Sequence, residues 1–522
     1  MPVRVAPLAL LLLLSAGCLD AGTQPTSDAA RQKGTGRDAP GPGFDPQWSE
    51  LALTSGGSHT HANHATHATM TTPNFETVGW NPLVTDYYGR TAGGHLCGDA
   101  VDKGGRRYSV VHSFSTDVAF VITDVTDPAD PKKIGELAMD MTHVYDLALT
   151  PDQNFVLLAT SPLGPVTGLQ PPNPVTATFT DACTGTSRPV PGPEAGLPYA
   201  SGVVLVDISN PRSPSIADFR TFPVLGGHSV HVRTIAGRPL ILATVANLPG
   251  QTSFYVFMEI QSTAAGAKLG ILNVYRLPVT SPQALVDETT KTNHDGYLQK
   301  HPVTGANLAY LAYGDSGLAI LNIDDPRSPR LLSHILPWAG LNVLGPNDPY
   351  IHEALPIEGT WDGRHYTFLG DECVAHPLGA PTCLAYAVDT TDPAKPFVVG
   401  AWTLPHEVPG WGGLQYSLHY LGLVNRTLFV TAYHGGLWAV DVSNLSSTFQ
   451  SLPSIGVWMP PYVSPKPPIG NPSYSPRVND LNTFDDGVMA VYDAQTGVYL
   501  VRFDDAHPAP APEPWDIIKR AG

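Results

Sequence analysis

The sequence predicts an all-β fold, a seven-bladed β-propeller over residues 75–505, preceded by a signal peptide and a flexible tether and followed by a Pro-rich tail at 506–522. Three observations predict it. Among 522 residues, 52 are Pro and 50 are Gly, a composition that interrupts helices and supplies tight turns. One strand-and-turn pattern recurs seven times along the chain, which is the signature of a repeat architecture. A second pattern, a His at the head of a strand, recurs in six of the seven units.

The N-terminus comes first in that plan. Arg4, the leucines at 8 and 10–14, and the small residues Ser15-Ala16-Gly17 read as a secretory signal peptide over 1–17. Ala-Gly directly before Cys18 resembles the bacterial lipobox, with Ser15 where Leu or Val is usual. That resemblance implies lipidation of Cys18 and a lipid-anchored protein of the bacterial cell envelope, in the outer membrane, periplasm or cell surface. Ordinary cleavage and release is the alternative. Residues 18–74, rich in Gly, Ser, Thr, Ala and Pro, read as a disordered tether. It carries His59, His61, His64 and His67, which serve either as a weak metal trap or as plain spacer.

The repeat itself reads VAFVITDVTDPADP (118–131), GVVLVDISNPRSP (202–214), GLAILNIDDPRSP (317–329) and CLAYAVDTTDPAKP (383–396). GLWAVDVSN (436–444) lacks the prolines, and LGILNVYRLPVTSP (269–282) and GVYLVRFDD (497–505) are weaker copies. Each unit is a strand, a turn in which Asp127, Asp392 and their equivalents cap, and a further strand. One such small sheet leaves its faces bare, and radial packing around an axis covers them. The strands VVLVDISNP and LAILNIDDP resemble the LVIVD-repeat family, across roughly residues 95–505. That resemblance implies a propeller in an extracytoplasmic setting and no single activity. The seventh unit ends near Phe503, so residues 75–83 are expected to supply its outer strand. Segments 161–200 and 249–268 read as surface insertions in blades two and three.

Reading back from each repeat strand gives a second alignment: His95, His143, His228, His294, His352 and His419, with Asn479 in the seventh place. These residues open the innermost strands and so gather at one mouth of the channel. The second strands end there too, bringing His112, Asp315, Asp371, Glu372, His434 and Asp493. Asp295, Glu353 and Asp480 follow their ring residues directly. Symmetry breaks most in blades four to six, so the candidate cluster is His294, His352, His419, His434, Glu353, Asp371 and Glu372, with His95, His143 and His228 completing the ring. Three uses stay open: binding a transition metal, Cu or Zn above all; general acid–base chemistry; or structural joints between blades.

Other signals are weaker. Once Cys18 is set aside, four cysteines remain in an oxidising compartment, and Cys373–Cys383 with Cys97–Cys183 is the preferred of three pairings. Gly314-Asp315-Ser316-Gly317 has the protease-like GDSG form but reads as a turn. Arg364 and His365 read as solvent-facing turn residues. Trp338, Trp402, Trp411 and Trp458 are either a stacking surface or core. A net charge of −17 argues against nucleic acid as the partner. The expected function is an envelope lipoprotein propeller that binds a metal or ligand at the channel mouth, with the membrane as one partner and a protein, glycan or small molecule as another. A copper-dependent oxidoreductase is the alternative. The methanethiol oxidases of the selenium-binding-protein family are similar to it in architecture alone, without their motif in register.

Overall fold

The computed structural model describes residues 71–83, 95–162, 178–189, 202–221, 227–245, 254–277, 293–343, 350–372, 383–404, 417–460, 477–506 and 518–520, with internal breaks at 104, 114–117, 139–141, 182–185, 265, 340, 434, 485 and 495–496. Seven sheets of four or five strands are arranged as blades, antiparallel except for Gln450–Ser451, which adds in parallel to the edge of blade five. Their first strands are His95–Lys103, Thr142–Leu149, Gly227–Ile235, Gly296–Lys300, Ile351–Pro356, Leu421–Val424 and Val478–Thr483. Each touches the first strand of both neighbouring blades, and the chain of contacts closes from the seventh back to the first. These seven strands therefore line the axis.

Closure is by strand pairing. Phe75–Asn81 pairs antiparallel with the third strand of blade seven, Gly497–Phe503, with Phe75 opposite Phe503. The two ends of the propeller thus lie in one sheet. Residues 71–74, which the sequence assigns to the tether, already run along blade six: Thr72 donates its N–H to the Val457 carbonyl at 2.9 Å, and the Asn74 amide donates to Ile455 at 2.9 Å. In the tail, Ile518–Arg520 pairs with Leu341–Val343. Residues 1–70 lie outside the described residues, and with them the signal peptide, Cys18 and the His-containing tether segment.

The repeat places the third strand in blades one, two, four, five, six and seven, and the turn after it has a common construction. Asp124 Oδ1 accepts the Thr126 N–H at 3.0 Å, and Asp127 Oδ1 accepts the Ala129 N–H at 3.0 Å. Asp389 and Asp392 repeat this at 2.9 and 3.1 Å. Such Asx turns fix the chain where Pro has no N–H to offer. The turn then docks on the preceding blade's outer strand: the Asn81 amide donates to the Pro131 carbonyl and the Ser333 hydroxyl to the Pro393 carbonyl, both at 2.7 Å.

Blade three departs from the expectation. Its third strand is Phe254–Thr263, inside the segment read as an insertion, and the weak copy at 269–282 begins in the fourth strand, Gly266–Tyr275. Val256, Phe257 and Met258 are fully buried. A hairpin through Thr263 and Gly266 replaces the Asp-Pro turn, so the pattern used for alignment is missing from the strand that matters. In blade two the insertion carries a separate hairpin, Thr178–Asp181 with Thr186–Pro189.

The core is divided into seven apolar clusters, one at each blade interface, from Val204 and Phe120 between blades one and two to Leu500 and Val121 between seven and one. Trp402 and Trp458 are fully buried in it, which settles them as core; Trp411 lies outside the described residues. His365 is fully buried as well, against the expectation of a solvent-facing turn. Its Nδ1 meets the Thr390 hydroxyl at 2.8 Å and its Nε2 the Gln299 carboxamide at 3.0 Å. Arg364 is tied to Asp389 at 2.6 Å. Residues 314–317 form a tight turn with a buried Ser316, as expected.

Candidate functional site: a buried histidine arc on a glutamate

His228, His294, His352 and His419 come from the heads of four consecutive inner strands, in blades three to six. Their rings follow one another in an arc, with centroids 4.2, 3.7 and 4.1 Å apart. All four are buried, His352 and His419 completely. Two carboxylates sit on opposite sides of this layer. On one side Asp295 approaches Nδ1 of His294 at 3.3 Å and Nδ1 of His352 at 3.7 Å. On the other Glu372, at the end of blade five's second strand, lies 3.9 Å from Nε2 of His294, 4.0 Å from Nε2 of His352 and 3.9 Å from Nε2 of His419.

Tautomers follow from the partners. His419 Nδ1 lies 2.8 Å from the Asn479 carbonyl, which can only accept, so Nδ1 carries the proton and Nε2 a lone pair. Asp295, 3.3 Å from Nδ1 of His294 and 3.7 Å from Nδ1 of His352, favours a proton on that nitrogen of each ring. Neither nitrogen of His352 nor Nε2 of His419 has a hydrogen-bond partner among the described residues. Three imidazole lone pairs therefore face one carboxyl, acceptor against acceptor, in a buried site. Such an arrangement requires a cation in the middle, either a proton or a metal ion. His228 adds a competitor, since its Nε2 lies 2.7 Å from Nε2 of His294.

Electrostatics agrees with neutral rings. Burial, then the neighbouring imidazoles, holds His352 well below the usual histidine range. Burial does the same to His419 against the opposing bond to Asn479, and brings His228 down to about 3. Glu372 is pushed up, chiefly by burial. Its Oε1 accepts the Tyr433 hydroxyl, and the Arg477 guanidinium lies 4.0 Å over the Tyr433 ring. Tyr433 has φ 47°, the left-handed region, at the position where blade four's equivalent turn has Gly314 with φ 49°.

The ring expected from the sequence is thus partly assembled. His228, His294, His352, His419 and Glu372 meet, and His294, His352 and Glu372 offer ligand atoms within 4.8 Å of one another. Glu353 does not join them: its carboxylate turns down the channel and accepts the Leu421 N–H of blade six at 2.6 Å. Asp371 Oδ1 accepts the Tyr350 N–H at 2.7 Å, a local bond that holds the strand end. His95 and His143 stand at the heads of their strands, but their side chains, like all of His434, lie outside the described residues. Cys97 is buried and packs with Ala494, with Tyr145 and Tyr420 around it, and the partner expected for it, Cys183, lies outside the described residues. Cys383 is buried, and Cys373 and Cys183 lie outside the described residues. Asp295 was visible as the residue after His294. Arg477 carried no signal beyond lying two positions before Asn479.

The structural use of these strands is real too, one to four residues beyond the ring positions. Asp480 accepts the Gly98 N–H, Asp99 that of Leu149, Asp146 that of Val230, and His231 that of Leu298, at 2.7, 2.8, 2.9 and 3.3 Å. With Glu353 these make a side-chain joint at five of the seven blade interfaces.

The LVIVD repeat family matches residues 200–218, 303–336 and 428–450, the third strands and turns of blades two, four and six with their flanks. No curated protein matches the chain. Among solved structures, the chain is similar to the propeller domain of Myceliophteria thermophila Cps50 (Swd1) at 11% identity and a TM-score of 0.43, covering 78% of this chain and 96% of that one. It is similar to the WD40 repeats of RRP9 at 8% identity and 0.46, covering 83% and 99%, and to the WD40 propeller of Doa1 at 9% and 0.41, covering 80% and 94%. The architecture rests on strand pairing rather than on these likenesses. By its ring of blades the chain is a seven-bladed β-propeller, and three of its segments match the LVIVD repeat.

Proposed function

We propose that this chain is a lipid-anchored protein of the bacterial cell envelope that binds one transition metal ion, copper or zinc, through His294, His352, His419 and Glu372 at the channel mouth. The observation that carries the metal is the convergence of Nε2 of His294, His352 and His419 on the buried Glu372 carboxyl, with Nε2 of His419 lacking a hydrogen-bond partner among the described residues. Neutral imidazole with a carboxylate suits Cu(II) and Zn(II), and Asp295 on the far side of two rings supplies the outer carboxylate that orients metal-binding histidines. Tetrahedral bonds of 2.0–2.1 Å put ligand atoms roughly 3.3 Å apart, so the 3.9–4.0 Å separations need to contract by about 0.6 Å. Binding would take from His294 the lone pair it shares with His228.

The test is elemental analysis of the chain purified without a His tag. The expected result is about one Cu or Zn per chain, lost in the His352→Ala/His419→Ala variant while the fold persists. A metal-free wild type that also refuses added Cu(II) and Zn(II) would make the arc structural. The anchor has its own test. The full chain is expected in the detergent phase on partitioning, and Cys18→Ala is expected to move it to the aqueous phase. An oxidoreductase would use the same cluster, and the Tyr433 phenol on Glu372 is the feature that favours it. Metal-dependent oxidation of a small thiol by wild type, absent from the double variant, would distinguish the enzyme from the binding module.

A further inference from the structure

His59, His61, His64 and His67 lie outside the described residues, but the point from which their segment leaves the propeller is fixed. Residues 71–74 are strapped along the outer strand of blade six, Ser454–Trp458. Thr71 Oγ1 accepts the Met459 N–H at 3.1 Å and donates to the Met459 carbonyl at 3.3 Å. Thr72 Oγ1 accepts the Val457 N–H at 2.9 Å, and the Asn74 amide donates to Ile455. Gly456 allows this close approach, since a Cβ there would meet Asn74 at 3.1 Å. Trp458 pairs with Leu437, which follows the turn closed by Tyr433 and Gly436, so Met459 and Thr71 stand at the channel-mouth end of the strand. His419 heads the inner side of the same four-stranded blade. At about 4.7–4.9 Å between neighbouring strands, the rim at Thr71 is roughly 14 Å from it.

We propose that His59, His61, His64 and His67 form a capture arm that takes up a Cu(II) or Zn(II) ion and hands it to the arc at the channel mouth. The inference rests on the metal site proposed for the arc. Reach permits it: His67 is four residues and His59 twelve residues before Thr71, and at about 3.3–3.6 Å per residue those lengths span up to roughly 14 and 40 Å. Side matters as well. The three Nε2 atoms and Glu372 lie on the mouth side of the histidine layer, whereas Asp295 lies on the other, lining a channel cavity of about 660 Å3. The arm starts on the face that these ligand atoms address. Chemistry supplies the direction. Residues 57–70 contain four His and no Asp, Glu or Cys, so the arm holds an ion through neutral imidazole alone, while the arc adds the buried Glu372 carboxylate. Transfer is ligand exchange: each arm nitrogen–metal bond that breaks is replaced by a bond to an arc Nε2 or to Glu372. The released imidazole stays neutral, and nothing is oxidised or reduced. Attachment within this reach keeps the captured ion at a high local concentration beside the arc.

The test uses the full chain, purified without a His tag and freed of metal, mixed with one equivalent of Cu(II) or, separately, Zn(II) held by a chromogenic chelator. The chelator's colour reports the transfer. Wild type is expected to take the ion about tenfold faster than His59→Ala/His61→Ala/His64→Ala/His67→Ala, with the same final occupancy near one per chain. Residues 57–70 added to that variant as an equimolar free peptide are expected to leave it slow, because the peptide lacks the attachment at Thr71. Equal rates in wild type and variant, or full recovery with the free peptide, would overturn the arm and leave the arc's metal standing. A variant that loses final occupancy as well would overturn it too, by making the arm the resting site. Failure of the arc shows differently: neither chain retains the ion, or His352→Ala/His419→Ala retains it as well as wild type. The arm, with nothing to load, then falls with it.

Discussion

Tyr433 is held in a backbone conformation that a bulky L-residue avoids, at a cost of about 1–2 kcal/mol. Blade four meets the same turn geometry with Gly314, so the fold does not require a tyrosine there. What the tyrosine adds is its hydroxyl on Glu372 and its ring under Arg477. A strained residue that reaches the central carboxyl is expected to orient it, which makes Tyr433 a positioning residue. Tyr433→Phe keeps the ring and removes the donor. It is expected to leave the melting temperature nearly unchanged while weakening metal retention about 10- to 100-fold, the usual scale for an outer-shell partner. Competition against a chromogenic chelator measures it, and unchanged retention would reduce Tyr433 to packing. The histidines were legible because one residue type recurs at one strand position. Tyr433 and Arg477 were not, because their roles depend on a φ angle and a ring face, and neither has a period.

Strands were legible where each copy keeps both its apolar run and its Asx-Pro turn. GVVLVDISNPRSP shows why: Asp207 and Asn210 each cap a turn, with Oδ1 taking the N–H two residues on, at 2.8 and 3.2 Å. Local chemistry fixes the strand end, so the sequence marks it. Blade three has no such turn after Phe254–Thr263, and the only repeat-like text lies one strand later. Its buried FYVFM is instead specified by long-range packing across the blade two and blade four interfaces, which leaves no local mark. Glu353 failed for a related reason. Adjacent strand residues point to opposite sides, so following a ring histidine by one position sends a side chain away from the ring. Asp295 sits next to His294 in the same way and lies on the cavity side of the layer.

At the scale of the whole molecule, the channel sets two opposed pH dependences. His228, His231 and His365 are brought down to about 3, and His352 and His419 well below their usual value, in each case chiefly by burial. The unfolded chain binds protons on these rings that the folded chain refuses, so their contribution to stability is lost as pH falls below about 6.5 and is complete above it. The channel carboxyls have the reverse sign. Burial raises Asp99 to about 6 and Asp146, Glu353 and Asp480 well above their usual values, despite the backbone N–H groups they accept. The folded chain keeps those protons longer, so their contribution is full below about pH 4 and is lost as pH rises through each folded value. Between pH 4 and 6 the lowered histidines, six with His301, outnumber the raised carboxyls, five with Glu372, and stability rises. Above pH 7 only the carboxyls still titrate and stability falls. The metal-free protein is therefore expected to melt highest near pH 6–7 and to lose stability towards pH 9. Glu353→Gln removes one of the raised groups while keeping its bond to Leu421, so it is expected to steepen the rise between pH 4 and 6 and to flatten the alkaline decline. Melting curves at closely spaced pH values decide it, and a stability that keeps rising to pH 9 would mean these carboxyls are already ionised in the folded channel.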